Sequence, residues 1–214
     1  MLPLTLHTPK PLLSVCGKPL ILHHIEALAR ANITDLVVNC SHLGEQMVAA
    51  LGDGSRYGVR LHYSMEPDEP LETGGGIFQA LPLLGDEPFL IVNGDILTDF
   101  SFIKLMMTPG ALAHLVLVEN PQHHPQGDFY LLPNGGVQNE FSPGSRRLTY
   151  SGIALLSPRL FADCQPGVFA LAPLLIAAMQ QGQVSGEFHP GYWLDVGTPE
   201  RLKIAEDLLS REHR

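Results

Sequence analysis

The sequence predicts an α/β fold, and three stretches carry that expectation. Residues 89–92 (FLIV) form a short unbroken apolar run, the pattern of a strand buried on both faces of a parallel sheet. Leu20, Ile21, Ile25, Leu28 and Ala29 make a helical stripe after Pro19, and residues 33–39 (ITDLVVN) then read as a strand. Together they form the helix–strand half of a βαβ unit. Residues 192–196 (YWLDV) read as a further strand, interrupted by the single carboxylate of Asp195.

Composition limits what such a fold does. The chain has 214 residues, 45% of them hydrophobic, and a mean hydropathy of +0.11, enough to bury a sizeable core. Thirteen bases against 22 acids leave a formal charge of −9, and the longest basic run is Arg146–Arg147. Nothing here favours a nucleic-acid backbone. A phosphorylated small molecule would need local compensation from lysines, amides or a divalent cation. No apolar run reaches the ~18 residues of a membrane span. The three cysteines, Cys16, Cys40 and Cys164, are widely spaced and form no CxxC pair, which fits a reducing cytoplasm.

Met1–Lys18 carries three prolines and is expected to be extended, with Lys10 held between Pro9 and Pro11. A fixed ammonium suits a phosphate, because lysine is otherwise a mobile point charge. The bland reading is a surface lysine in a proline-rich loop. The strand expected before the helix at Leu20 is missing, so the chain reads as truncated.

Residues 42–51 are expected to be helical and residues 59–64 (VRLHYS) a half-exposed strand. Residues 71–76 (LETGGG) read as a loop, with a helix over 77–84. Glycines at a helix N-terminus let backbone amides approach an anion or a flat base. Glu72 beside them is either a solvated carboxylate or an acceptor for donors on a bound base. After the run at 89–92, Asn93, Gly94 and Asp95 fall where a strand leaves its sheet, the usual ligand edge of open α/β sheets. Asp95 there either holds a metal or caps the next turn.

Residues 113–118 (AHLVLV) read as a second buried strand. The adjacent His123 and His124 lack a partner at metal-ligand spacing. Residues 137–147 are expected to be a polar loop and 149–156 (TYSGIALL) a strand. Gly152 inside it marks either a bulge or a close approach by a ligand. Residues 161–180 are expected to be largely helical, and 199–214 a solvated helical tail begun by a Thr198 cap. Asp195 sits between apolar neighbours, where a carboxylate needs a partner. A divalent cation shared with Asp95 would provide one, and magnesium takes only one or two protein carboxylates beside phosphates and water. A salt bridge or a cap is the alternative. No GxSxG, HExxH or complete GxGxxG occurs, so covalent hydrolysis and fingerprint dinucleotide binding are unsupported.

Taken in order, residues 4–5, 8–12, 17–20, 72–76, 93–95 and 193–198, with the forms EPLETGGGIF and GYWLDVGT, resemble the sugar-1-phosphate nucleotidyltransferase family over nearly the whole chain. The resemblance implies a Rossmann-like nucleotidyltransferase fold, three-layer α/β/α around a central, mostly parallel mixed sheet. It implies a single domain, with a nucleotide-binding part at about 1–110, a sugar-phosphate part at about 111–198 and a closing helix at 199–214. The branch it most resembles implies uridylyl transfer from UTP to N-acetylmuramic acid α-1-phosphate, in-line, with release of pyrophosphate.

By the same resemblance Lys10 contacts phosphate, and Glu72, Thr73, Gly74, Gly75 and Asn93 lie at the nucleotide. Asp95 and Asp195 hold Mg2+, and Gly152, Asn139 and Glu140 lie on the sugar side. A cytoplasmic monomer or weak homodimer, without nucleic-acid or membrane partners, completes the expectation. Alternatives are a hexose- or mannose-1-phosphate enzyme using dTTP or GTP, and an inactive nucleotide-sugar-binding homologue. The family's opening strand and LAAGxGxRxxP loop are absent, with Met1–Pro3 matching only the end of that signature. The 214-residue form is therefore expected to be poorly stable and nearly inactive.

Overall fold

The computed structural model describes residues 4–67 and 69–212; the expectation for Met1–Pro3 lies outside them. In chain order the elements are β1 (Ser14–Val15), β2 (Lys18–Pro19), α1 (Leu20–Arg30), β3 (Asp35–Cys40), α2 (Gly44–Leu51), β4 (Arg60–Met65), α3 (Glu72–Leu84) and β5 (Phe89–Val92). There follow β6 (Ile96–Thr98), β7 (Ala113–Val118), β8 (Phe129–Leu131), β9 (Val137–Gln138), β10 (Arg146–Leu156), α4 (Ala172–Gln180), β11 (Val184–Phe188), β12 (Trp193–Asp195) and α5 (Pro199–Glu212). Two units divide them. The first comprises Met1–Pro70, Asn93–Ile103 and Gly191–Arg214, the second Leu71–Val92 and Lys104–Pro190.

In the first unit Pro19 precedes α1 directly, and the helix buries Leu20, Ile21, His24, Ile25 and Leu28 along one side. This is the stripe the sequence predicts. Strands β3 and β4 pair in parallel from Asp35↔Arg60 to Cys40↔Met65, with α2 as the crossover between them. Ile21, Ile25, Cys40, Met47, Leu51, Val59 and Leu61 form one core cluster. A second joins Leu13, Val15, Leu20, Leu97, Val196, Ala205 and Leu209. Ala205 and Leu209 belong to α5, so that helix is an amphipathic core element and not the solvated tail expected of it.

The second unit holds a mixed sheet in the order β11-β7-β10-β8-β9, with β5 also on β10. Strand β10 runs antiparallel to β5, β7 and β8, and parallel pairing joins β11 to β7. The expected predominance of parallel strands is therefore not found in this sheet. Strand β10 lies between β7 and β8 and runs against both, and β8 and β9 form an antiparallel pair of their own, so the parallel pairing of β11 with β7 stands alone among the strand pairs of this sheet. Strand β5 likewise pairs antiparallel, Phe89↔Leu156 to Val92↔Ile153, and only Phe89 of its four residues is fully buried.

The polar loop expected at 137–147 contains β9 and the start of β10. Gly152, at φ +81°, lies within a register shift between Tyr150 and Ala154, the bulge the sequence left open. The helix expected over 161–180 is interrupted. Pro158–Phe161 forms a 3-10 turn, and α4 begins only at Ala172. Pro166 disfavours helical backbone at Gln165, and Gly167 takes φ 155°. No helix among the described residues is long and apolar enough to cross a membrane.

Candidate functional site

Lys10, Asp95 and Asp195 fall in the same unit, and its backbone brings them together. Lys10 opens a 3-10 turn directly after Pro9, with the Leu12 amide donating to the Pro9 carbonyl at 2.9 Å. Its ammonium donates to Asp95 Oδ2 in an ion pair with both side chains about one-third exposed or less (29% and 34%). Gly94 lets the two segments approach, since a Cβ there would meet Pro11 Cγ at 3.3 Å.

Asp95 lies in the turn that enters β6, and β6 pairs antiparallel with β12 in the register Ile96↔Asp195. The Val196 amide donates to the Asp95 carbonyl at 2.7 Å, so the two aspartates occupy neighbouring backbone positions at one end of this ribbon. A cavity of about 470 Å³ is lined by Pro9, Lys10, Asn39, Ser41, His42 and Gly197 among others. Asn93 is exposed two residues before Asp95.

Two further residues shape this end of the ribbon, and the sequence reading did not find them. Arg201, in the first turn of α5, donates through Nη1 to Asp195 Oδ1 at 2.8 Å. A cation near a helix N-terminus works against the helix dipole, and that was the available signal of a specific partner. Thr198 caps this helix as expected, accepting from the Arg201 amide at 3.3 Å.

His24, 6% exposed, lies with Nε2 2.9 Å from the Ile96 carbonyl oxygen. A carbonyl only accepts, so Nε2 carries the proton, and α1 is tied to the residue following Asp95. Burial lowers the His24 pKa from its ordinary 6.5 to about 4; the Ile96 carbonyl opposes the shift, His23 adds to it and Asp95 opposes it. Between these values the unfolded chain binds the proton and the folded chain does not, so stability falls as pH drops through this window. The expected loss from about pH 7 to about pH 4 is roughly 2–3 kcal/mol. Urea midpoints should show a shallower pH slope for His24→Gln than for the parent; equal slopes would contradict the assignment.

The other sequence-selected residues lie in the second unit. Residues 72–76 form the opening of α3 and not a loop, with Glu72 at φ +60° and Gly74, Gly75 and Gly76 buried. The reason is close packing. A Cβ at Gly74 would meet the Phe169 carbonyl oxygen at 2.7 Å, and one at Gly75 would overlap the Gly167 carbonyl oxygen. The Gly75 amide donates to Phe169 at 3.0 Å and the Phe169 amide to Leu71 at 3.1 Å. The amide expected to face a ligand at Gly75 is thus bonded within the fold. Glu72 and Thr73 are exposed. Asn139 and Glu140 follow β9, where Gln138 Nε2 donates to the Glu140 carbonyl at 2.8 Å, and buried Gly152 forms the β10 bulge.

Among the described residues no group of three or more His, Cys, Asp or Glu is placed to hold a metal. The neighbouring aspartates still fit magnesium, which needs only one or two protein carboxylates. Each is already matched by one cationic side chain, as expected for negative charge gathered at a partly buried edge.

Comparison with known proteins places the chain among relatives. The family model described as Nucleotidyl transferase matches residues 1–129. An N-acetylmuramate alpha-1-phosphate uridylyltransferase of Neisseria meningitidis serogroup B is 53% identical over 214 residues, covering 97% of this chain and 92% of that protein. A Caulobacter vibrioides protein of the same name is 31% identical, covering 98% and 92%. A Schizosaccharomyces pombe mannose-1-phosphate guanyltransferase is 32% identical, covering 92% of this chain and 58% of that one.

Among solved structures, HddC from Yersinia pseudotuberculosis superposes with a TM-score of 0.77 at 20% identity, over 94% of this chain and 90% of its own. A Bacillus anthracis protein solved with sucrose gives 0.81, again at 20% identity, over 97% and 89%. The family model, which matches more than half of the chain, and these relatives show the same thing: the chain belongs to the sugar-1-phosphate nucleotidyltransferase family.

Proposed function

We propose that the chain transfers a uridylyl group from UTP to N-acetylmuramic acid α-1-phosphate, giving UDP-N-acetylmuramic acid and pyrophosphate in the cytoplasm. The observation that carries this reading is the Lys10–Asp95 ion pair beside Asp195 in a chain 53% identical to a protein of that name. A phosphate oxygen of the sugar attacks the α-phosphorus of UTP, the bond to the bridging oxygen breaks, and pyrophosphate leaves. Asp95 and Asp195 would hold Mg2+, which supplies charge neutralisation at the phosphates when bound. Lys10, fixed by its flanking prolines, places its ammonium on a phosphate oxygen and offsets charge that grows during transfer.

In the second unit Glu72 and Thr73 serve as polar readers of the base, with Gly74 and Gly75 setting the backbone path at the start of α3. Asn93 is assigned to the nucleotide, and Asn139, Glu140 and Gly152 to the sugar phosphate. The chain acts as a monomer or weak homodimer.

The test is a panel of UTP, dTTP and GTP against N-acetylmuramic acid, glucose and mannose 1-phosphates with Mg2+, scored by pyrophosphate release. The highest kcat/KM is expected for UTP with the muramic acid substrate. A preference for GTP with mannose 1-phosphate would replace this reading with that of the guanyltransferase relatives. Binding of UDP-sugar without any turnover would replace it with a binding role.

A further inference from the structure

Both aspartates of the ribbon are ion-paired, but the two partners are built differently. Lys10 reaches Asp95 from a proline-framed turn. Arg201 reaches Asp195 from the first turn of α5, its backbone fixed by the Thr198 cap and its side chain only 20% exposed. Gly197 provides the space. A Cβ there would overlap Arg201 Nη2, lie 3.1 Å from its guanidinium carbon, and stand 3.4 Å from Asp195 Oδ2. The guanidinium therefore fills the volume that the missing side chain leaves, against the carboxylate it binds.

We propose that Arg201 is a positioning residue for Asp195, holding Oδ1 so that the carboxylate is shared between the guanidinium and a divalent cation. This rests on the reading that Asp95 and Asp195 seat the cation. Two consequences follow from the chemistry. The planar guanidinium fixes the direction of the carboxylate more rigidly than an ammonium would. Its positive charge also opposes a second cation on the same group, so Arg201 sets metal affinity below what the two aspartates alone would give. Gly197 is then required for the placement of the guanidinium, beyond any need of the turn.

The experiment is calorimetric titration of the full chain with Mn2+ in the absence of nucleotide, with circular dichroism to confirm the fold of each variant. Arg201→Gln is expected to bind Mn2+ about threefold to tenfold more tightly than the parent. Arg201→Lys keeps the charge and should stay within about twofold of the parent. Gly197→Ala should shift affinity in the same direction as Arg201→Gln, because the clash falls on the end of a flexible side chain and is relieved by moving the guanidinium. In the Arg201→Gln background the alanine should add little, the non-additivity of two changes acting through one contact.

Unchanged or weaker Mn2+ binding by folded Arg201→Gln would overturn the proposal. So would additive effects in the double variant. Asp195→Asn separates this from the underlying reading. If it abolishes Mn2+ binding while Arg201→Gln leaves binding untouched, the aspartate assignment stands and the arginine role is lost. If the parent binds no Mn2+ at all, both are lost.

Discussion

Asp95→Asn is expected to lower the rate of pyrophosphate release by about a thousandfold or more, a barrier increase of about 4 kcal/mol. The substitution keeps the shape of the side chain and removes its charge, so its effect isolates electrostatics. The loss acts twice. A neutral amide is a poor ligand for a hard divalent cation, and Lys10 loses the partner that its turn presents it to. Stability should barely change, because an ion pair about one-third exposed contributes roughly 1 kcal/mol or less. Thermal melting within a few degrees of the parent, together with near-complete loss of turnover and of Mn2+ binding, is the expected outcome. Turnover within about tenfold of the parent would remove Asp95 from the chemistry.

The aspartate pair was legible in the sequence because its signals are local. Asp95 follows an apolar run where a strand leaves its sheet, the usual ligand edge, and Asp195 interrupts another run, where a carboxylate needs a partner, so each is singled out on its own local pattern. That β6 and β12 pair was not legible, since a three-residue antiparallel ribbon joining positions a hundred apart leaves no periodic trace. Arg201 was missed for a related reason. One basic residue in a mixed-charge helix looks like a solvated face; its place in the first turn, against the helix dipole, is a faint signal that the Asp195 contact explains.

The glycines at 74–76 were misread because their composition says loop. Each glycine costs a helix roughly 1 kcal/mol relative to alanine, and only tertiary packing explains why the helix contains them. The Phe169 and Gly167 backbone against Gly74 and Gly75 is that packing. Strand β10 was under-read at its N-terminal end because Arg146 and Arg147 look like loop residues. They pair with Leu131 and Tyr130 of β8, and their side chains reach Glu119, Phe188 and Tyr130.

Phe161 gives the test in which sequence expectation and structure part most clearly. The sequence places it as the first residue of a largely helical stretch running to 180, with no particular role in the core. In the structure it ends the Pro158–Phe161 turn, which Ser157 caps by accepting from the Arg159 amide at 3.3 Å. Only 2% of it is exposed, and it belongs to the cluster containing Leu156, Leu160, Leu175 and Met179. The turn is short because residues 162–171 must cross from β10 to α4, and the aromatic ring anchors its start.

Phe161→Ala should therefore lose the transfer free energy of a phenyl group and leave a cavity, a cost of about 3–5 kcal/mol. That is a large part of the roughly 5–15 kcal/mol holding a domain together. Phe161→Leu, which refills most of the space, should cost about 1–1.5 kcal/mol. Phe141, 71% exposed, provides the contrast, with its alanine variant expected within about 0.5 kcal/mol of the parent. Urea unfolding of the three variants gives these differences directly. A Phe161→Ala cost below about 1 kcal/mol would contradict the core described for the second unit.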